Sequence, residues 1–315
     1  MKKLIVTRIF FLLLLGSLFF THCRVQEKWH TASFFFFDTL CEVKLYASYD
    51  RFLSAQENIH KIFTDIDTCF SPESENYSSP IVLSLFRKAS ALHQASSGAF
   101  DITVAPFSKL WGFFDGNHRV PESELIQNTL KIIGMEKVVD QKTFLDIPEG
   151  MSMDWGGIAK GYGIDLAAQR LKESGIAKGF INAGGDLYCW GKNPSNSSWK
   201  IGIKHPRKEG FLGVLEIQDM GAATAGDYQR FFIRDGIRYH HIFNPKTGYP
   251  AQGKQSVTVV GPEALLCDAL STALFVMSYP EELLQKYPEY GAVIVDSNGN
   301  LSILGKEFPL TLSGY

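Results

Sequence analysis

A chain of 315 residues, 45% hydrophobic and 20% charged, carries enough apolar material for one large core or two intimate ones and lacks the bias of a disordered or fibrous sequence. Its formal net charge of -2, with no basic cluster along it, gives no electrostatic reason to expect DNA or RNA, and that class is set aside.

The first stretch reads as a targeting signal. Lys2, Lys3 and Arg8 make a basic leader, and Ile9 to Phe20 is an apolar run too short to span a bilayer comfortably. Cys23 follows at once, so residues 1–22 resemble the signal of a bacterial lipoprotein, in which the cysteine is lipidated and becomes the new N-terminus. Phe20-Thr21-His22 depart from the small residues usual before such a cysteine; ordinary cleavage nearby and an uncleaved anchor are the alternatives. All three readings put the globular part outside the cytoplasm. The lipidated form places it on the periplasmic side of the inner membrane, with 23–33 as a tether and 34–315 as the folded domain. Cys41, Cys69, Cys189 and Cys267 show no CxxC spacing and read as buried thiols acting as small apolar residues.

Within the domain, Phe34 to Tyr46 reads as a strand. Ile59, Ile62, Phe63 and Ile66 form the apolar stripe of a helix over 54–69, which a polar loop ends at Ser71 to Pro80. A second helix runs from Pro80 to Ser97 and stops at Gly98; the spacing predicts a third from Pro121 to Ile133 and a fourth from Ala159 to Glu173. Strands follow at 179–183, 199–204, 213–217, 228–234 and 237–243, the last pair joined by Asp235-Gly236. A strand at 256–260, a long helix from Glu263 to Ser278, and strands at 292–296 and 301–304 across Ser297 to Asn300 complete the chain. Strands grouped apart from helices indicate an α+β fold.

Asp268 and Thr272 lie four residues apart on the long helix, so they share one face and can offer a carboxylate and a hydroxyl to one point. Such oxygen ligands suit Mg2+ shared with a substrate phosphate. The alternative is a polar pair facing solvent or capping a neighbour. The apolar flanks from Leu265 to Val276 count against that, because a buried carboxylate needs a partner. Gly-rich DWGGIAKGYGID (Asp154 to Asp165) opens the fourth helix and reads either as a seat for a diphosphate or as a tight packing turn. It matches neither GxxxxGK[ST] nor GxGxxG. Asn182 to Leu187 reads as a structural bend, and His241, leaving a strand, as a general base or a hydrogen-bonded structural residue.

Six segments occur together: GAFDITVAPFSKLWGF (from Gly98), DWGGIAKGYGID, INAGGDL, ATAGDYQRFF, RYHHIFNPKTGYP and SVTVVGPEALLCDALSTALFVM. In this order they resemble the ApbE family, the FAD:protein FMN transferases, from about Ser33 onward. The resemblance implies an α+β fold of two subdomains with mixed or antiparallel sheets and FAD in the cleft between them, as a monomer or homodimer. It implies a Mg2+-dependent transfer of FMN from FAD onto a Thr or Ser hydroxyl of a target subunit of a membrane redox pump, with release of AMP. Asp268 and Thr272 match the family's metal ligands, joined by a backbone oxygen in the Gly-rich turn, that of Gly157, with Ser271 close enough to contribute. Ala99, Phe100 and Asp101 match the segment that meets the adenine end of FAD; Asp154, Lys160 and Ile242 match further flavin-nucleotide contacts. Phe37 and Phe70 align with positions that pack on the cofactor, although the family has Met-Gly where this chain has Phe37-Asp38, and Thr-Ser-Gly where it has Thr224-Ala225-Gly226. In the mechanism that follows from the resemblance, His241 is the candidate base, with Asp268 able to take both roles. Hydrolysis of FAD to FMN and AMP, or FAD storage by a non-catalytic lipoprotein, are the competing functions.

Overall fold

The computed structural model describes residues 26–71 and 74–313. The targeting signal and Cys23 lie outside the described residues. Strand β1 (Lys28–Phe36) begins inside the stretch expected to be a tether and pairs antiparallel with β2 (Thr39–Ala47). One strand was expected here, over 34–46. The two-residue turn between β1 and β2 holds Phe37 and Asp38 both at φ 55, a conformation that neither residue type signals as Asn-Gly would.

Helix α1 (Tyr49–Cys69) starts at Ser48, whose Oγ accepts the Arg51 N–H at 3.4 Å, and buries Phe52, Ala55, Ile59, Phe63 and Ile66. Helix α2 (Pro80–Ala95) opens on its proline. Two short helices, α3 (Ala105–Leu110) and α4 (Ser123–Leu130), and the small hairpin of β3 (Val139–Asp140) and β4 (Leu145–Asp146) lead to α5 (Ala159–Glu173). Then come β5 (Gly179–Ala183), β6 (Asp186–Trp190), β7 (Trp199–Lys204), β8 (Phe211–Ile217), β9 (Met220–Gly226), β10 (Phe231–Arg234), β11 (Ile237–His240) and β12 (Lys254–Gly261). Helices α6 (Ala264–Val276) and α7 (Pro280–Leu284) and strands β13 (Gly291–Asp296), β14 (Leu301–Gly305) and β15 (Leu310–Leu312) close the chain.

The fold is α+β. An antiparallel sheet of eight strands, ordered β1-β2-β5-β6-β9-β12-β13-β14, forms its centre. On one face the apolar side chains of α1, α2, α5 and α6 pack against Val43, Ile181, Ala223, Val257 and Val259. On the other, the three-stranded sheet β15-β8-β7 covers Leu187, Ala222, Val260 and Val293. Strand β6 is therefore buried along its whole length. A separate small core joins Phe107, Trp111, Phe113, Ile126, Ile133 and Phe243, with Phe232 and Tyr239 of the β10–β11 hairpin against it. That core makes a second lobe beside the main sheet. Among the described residues no helix is long and apolar enough to cross a membrane, and Cys41, Cys69, Cys189 and Cys267 are free thiols.

Candidate active site

Helix α6 is set in place by close backbone approach. A Cβ at Gly161 of α5 would lie 2.4 Å from the Ala264 carbonyl oxygen, and one at Gly221 of β9 would lie 2.8 Å from the Ala264 nitrogen. Only glycine permits either contact. The Asp165 carboxylate of α5 accepts the N–H groups of Ala264 and Leu265, each at 2.9 Å, and so caps α6 with negative charge at its positive end. Burial pushes the Asp165 carboxyl up to about 6.

One turn farther along α6 sits Asp268, buried. Its Oδ2 accepts the Gly161 N–H at 3.1 Å and stands 3.8 Å from Lys160 Nζ. That ammonium is 3.0 Å from Asp186 Oδ2 and donates to the Gly156 carbonyl at 2.9 Å. Burial raises the Asp268 carboxyl well above the usual carboxylate range, with Lys160 opposing and Asp186 adding to the shift. Burial alone would lower Lys160; the carboxylates of Asp186 and Asp268 outweigh it and keep the ammonium charged.

Thr272 follows Asp268 by one turn, and a Cβ at Gly157 would come within 3.0 Å of Thr272 Oγ1 and 3.5 Å of the Phe100 ring. The glycine turn thus lies directly against the hydroxyl, in a cradle that any side chain at 157 would fill. A buried carboxylate, an alcohol and an adjacent backbone turn form an all-oxygen donor set, which fits a hard divalent cation such as Mg2+. Asp154 organises the same turn: Oδ1 accepts the Gly156 N–H at 2.9 Å, Oδ2 accepts the Ser108 hydroxyl at 3.1 Å, and its own N–H reaches the Ile102 carbonyl at 2.6 Å.

The other expected residues attach at varying remove. Phe70 packs on Trp155 at 4.9 Å, beside Asp154, and the Phe37 ring would meet a Cβ at Gly163 of α5 at 3.3 Å. Ala99 and Ile242 enter as buried neighbours of Phe100 and His241. The Asp101 side chain is engaged internally, its Oδ1 accepting the Thr103 N–H at 2.8 Å and the Thr103 hydroxyl at 2.6 Å, and its Oδ2 the Met135 N–H at 3.3 Å. His93 Nδ1 bonds the Phe100 carbonyl at 2.9 Å, so the cluster of His93, Asp101 and Glu136 braces the 99–101 backbone. The Asp101 carboxylate is thus committed to Thr103 and Met135, and the Phe100 ring is buried in the main core.

His241 bonds the Arg230 carbonyl through Nδ1 at 3.2 Å, which leaves Nε2 as the free acceptor. Burial, then Arg230, His240 and Lys160, push its pKa down to about 3, so the ring is neutral at neutral pH. A base so weak holds a proton only briefly.

Asp186, Asp165 and Ser108 were not among the residues singled out from sequence. Gly184 and Gly185, at φ 65 and φ 109, make the turn that delivers Asp186 to the start of β6. The Asn182–Leu187 segment, a structural bend by its sequence, is a bend that also places a charge.

The chain matches the family model described as the ApbE family over residues 37–294. A Klebsiella pneumoniae protein named FAD:protein FMN transferase is 30% identical to it over 82% of this chain and 86% of its own length. A Vibrio cholerae protein of the same name is 35% identical over 62% of this chain and 60% of its own. The crystal structure of the ApbE protein from Thermotoga maritima superposes with a TM-score of 0.82 at 32% identity, covering 88% of this chain and 97% of that one.

Proposed function

The chain belongs to the ApbE family, and from that premise we propose that it moves FMN from FAD onto a Thr or Ser hydroxyl of an acceptor protein, releasing AMP. The observation that carries this reading is the buried Asp268 beside Thr272 and the Gly157 turn, flanked by a charged Lys160. Asp268, Thr272 and the Gly157 carbonyl would hold Mg2+. When bound, the ion supplies charge neutralisation for the diphosphate of FAD.

The protein's own groups do the rest. Lys160, held by Asp186, brings a fixed positive charge to the phosphates, and the N-terminal turn of α5 adds backbone N–H groups and its dipole. Phe100, Phe70 and Phe37 offer apolar surface to the rings of the nucleotide, with Ala99, Asp101, Asp154 and Ile242 shaping the walls around them. In the transfer, the acceptor oxygen forms a bond to the FMN phosphorus as the bond from that phosphorus to the AMP oxygen breaks. The hydroxyl proton passes to His241 Nε2 or to Asp268. Lipidation of Cys23 would hold the enzyme on the periplasmic side of the inner membrane, facing the subunits of a redox pump, as a monomer or homodimer.

Incubating the protein with FAD and Mg2+, with and without an acceptor protein, tests the reading. Transfer gives AMP and covalent flavin only when the acceptor is present. AMP in equal yield without acceptor identifies a pyrophosphatase, and FAD bound without AMP identifies a storage protein.

A further inference from the structure

Helix α3 belongs to the second lobe. Phe107 and Trp111 lie in that lobe's core, and the Trp111 indole N–H donates to the Gly248 carbonyl at 3.0 Å. Between them stands Ser108, half-buried, whose hydroxyl leaves the lobe to donate to Asp154 Oδ2 at 3.1 Å. Its backbone is fixed as well: the Ser108 carbonyl accepts the Phe113 and Phe114 N–H groups at 2.9 and 3.3 Å and closes the end of α3. The hydroxyl is thus carried on a short helix anchored at both its side chains and its last turn.

Asp154 divides its two oxygens. Oδ1 accepts the Gly156 N–H at 2.9 Å, and Oδ2 accepts Ser108, the one side-chain donor to this carboxylate among the described residues. The Gly156 carbonyl in turn accepts Lys160 Nζ at 2.9 Å. Gly156 has no side chain to restrict its backbone, so these two bonds are what orient it and the Gly157 peptide that follows. An unbroken set of direct contacts therefore runs from the Ser108 hydroxyl through Asp154, Gly156 and Lys160 to Asp186 and Asp268. Its first member is a bond to a charged acceptor, about twice as strong as a neutral one.

Resting on the metal-site reading above, we propose that Ser108 is a positioning residue for the cation. By fixing the plane of the Asp154 carboxylate it holds the Gly156-Gly157 turn against Thr272 and keeps the donor set assembled. Ser108 makes no bond to Asp268, Thr272 or Lys160 among the described residues; it acts through Asp154. Cation affinity in the main lobe then depends on a hydroxyl supplied by the second lobe. Without that hydroxyl Oδ2 turns to water, the turn gains freedom, and the ordering it must undergo on binding costs affinity. The loss falls on Mg2+ binding and not on the rate once Mg2+ is bound.

The test uses the full chain with FAD bound. Calorimetry gives the Mg2+ affinity of the parent, Ser108→Ala, Asp154→Ala and the double variant, and FMN transfer is titrated with Mg2+ in parallel. Alanine is the strongest helix former, so α3 persists in Ser108→Ala. That variant is expected to bind Mg2+ at least fivefold more weakly, yet to come within twofold of the parental transfer rate at saturating Mg2+. In the Asp154→Ala background, removing the hydroxyl should change Mg2+ affinity by less than twofold, because the bond it made is already lost. A parental Mg2+ affinity in Ser108→Ala overturns the proposal. So does a loss of equal size with and without the Asp154 carboxylate, which would make Ser108 act by another route. A parent that takes up no Mg2+ with FAD bound is a separate failure: it overturns the metal-site reading, and the proposal with it.

Discussion

Replacing Asp186 with Asn removes one charge from a compact triad without changing its volume. Lys160 Nζ lies 3.0 Å from Asp186 and 3.8 Å from Asp268. At an effective dielectric of about 20 these separations correspond to attractions of about 5 and about 4 kcal/mol. Removing the Asp186 charge also returns the several kcal/mol spent on desolvating it, so the net loss of folding stability should be about 1–3 kcal/mol. The effect on function is more specific. An ammonium released from Asp186 settles on Asp268, and a carboxylate already neutralised by lysine is a poorer ligand for a dication. A shift of about 1.4 kcal/mol in that competition raises the Mg2+ concentration for half-maximal transfer about tenfold. Urea unfolding and FMN transfer titrated with Mg2+ measure the two effects separately. Should Asp186→Asn unfold earlier but keep the parental Mg2+ dependence, the triad is only structural and the link from Asp186 to the metal site is wrong.

Asp268→Ala should abolish Mg2+-dependent transfer while the protein still folds; transfer at the parental rate would end the assignment of the site. Gly157→Ala puts a Cβ 3.0 Å from Thr272 Oγ1, so it should weaken Mg2+ binding by at least tenfold, read by calorimetry in the presence of FAD, and a parental binding isotherm would refute the cradle. Gly161→Ala drives a Cβ to 2.4 Å from the Ala264 carbonyl, a backbone clash that should cost about 3 kcal/mol or more in urea unfolding. Asp165 gives a pH test. Its folded pKa of about 6 lies above the ordinary aspartate value of 3.8, so the folded state binds the proton more tightly and stability falls as pH rises between those values, levelling off above about 6. That difference corresponds to about 3 kcal/mol. Asp165→Asn should therefore gain about that much relative to the parent between pH 4 and pH 7, and a pH-independent difference between the two proteins in urea would contradict it.

What could be read from the sequence was whatever a periodic pattern or a special residue type encodes locally. The stripe of Ile59, Phe63 and Ile66 located α1, and Pro80 located the start of α2, because amphipathic spacing and a first-turn proline act within a few residues. Strand β9 escaped notice because it is made of small residues, Met220 to Gly226, where bulk would collide with α6. Its composition answers to a neighbour more than thirty residues away, not to β propensity. The turn at Phe37-Asp38 escaped for the opposite reason: pairing of β1 with β2 along their full length holds two ordinary residues in a left-handed conformation that neither favours.

The candidate site divides in the same way. Asp268 and Thr272 were legible because helical spacing alone puts them on one face. Asp186 was not, since its meaning depends on sheet order bringing β6 beside β9 and under the start of α5, where Lys160 emerges. A charge pair between segments is invisible until topology sets the distance. The buried carboxylate on α6 shows why the surrounding parts had to assemble together. Gly161 and Gly221 let the helix come close, Asp165 fixes its first turn, and the Gly161 N–H then meets Asp268 directly. Loosening any of these leaves Asp268 less well held, and a carboxylate in that position needs Lys160 or a cation near it to remain ionised. Packing and ligand affinity at this helix are thus one property, measurable together as stability that rises when Mg2+ and FAD are added.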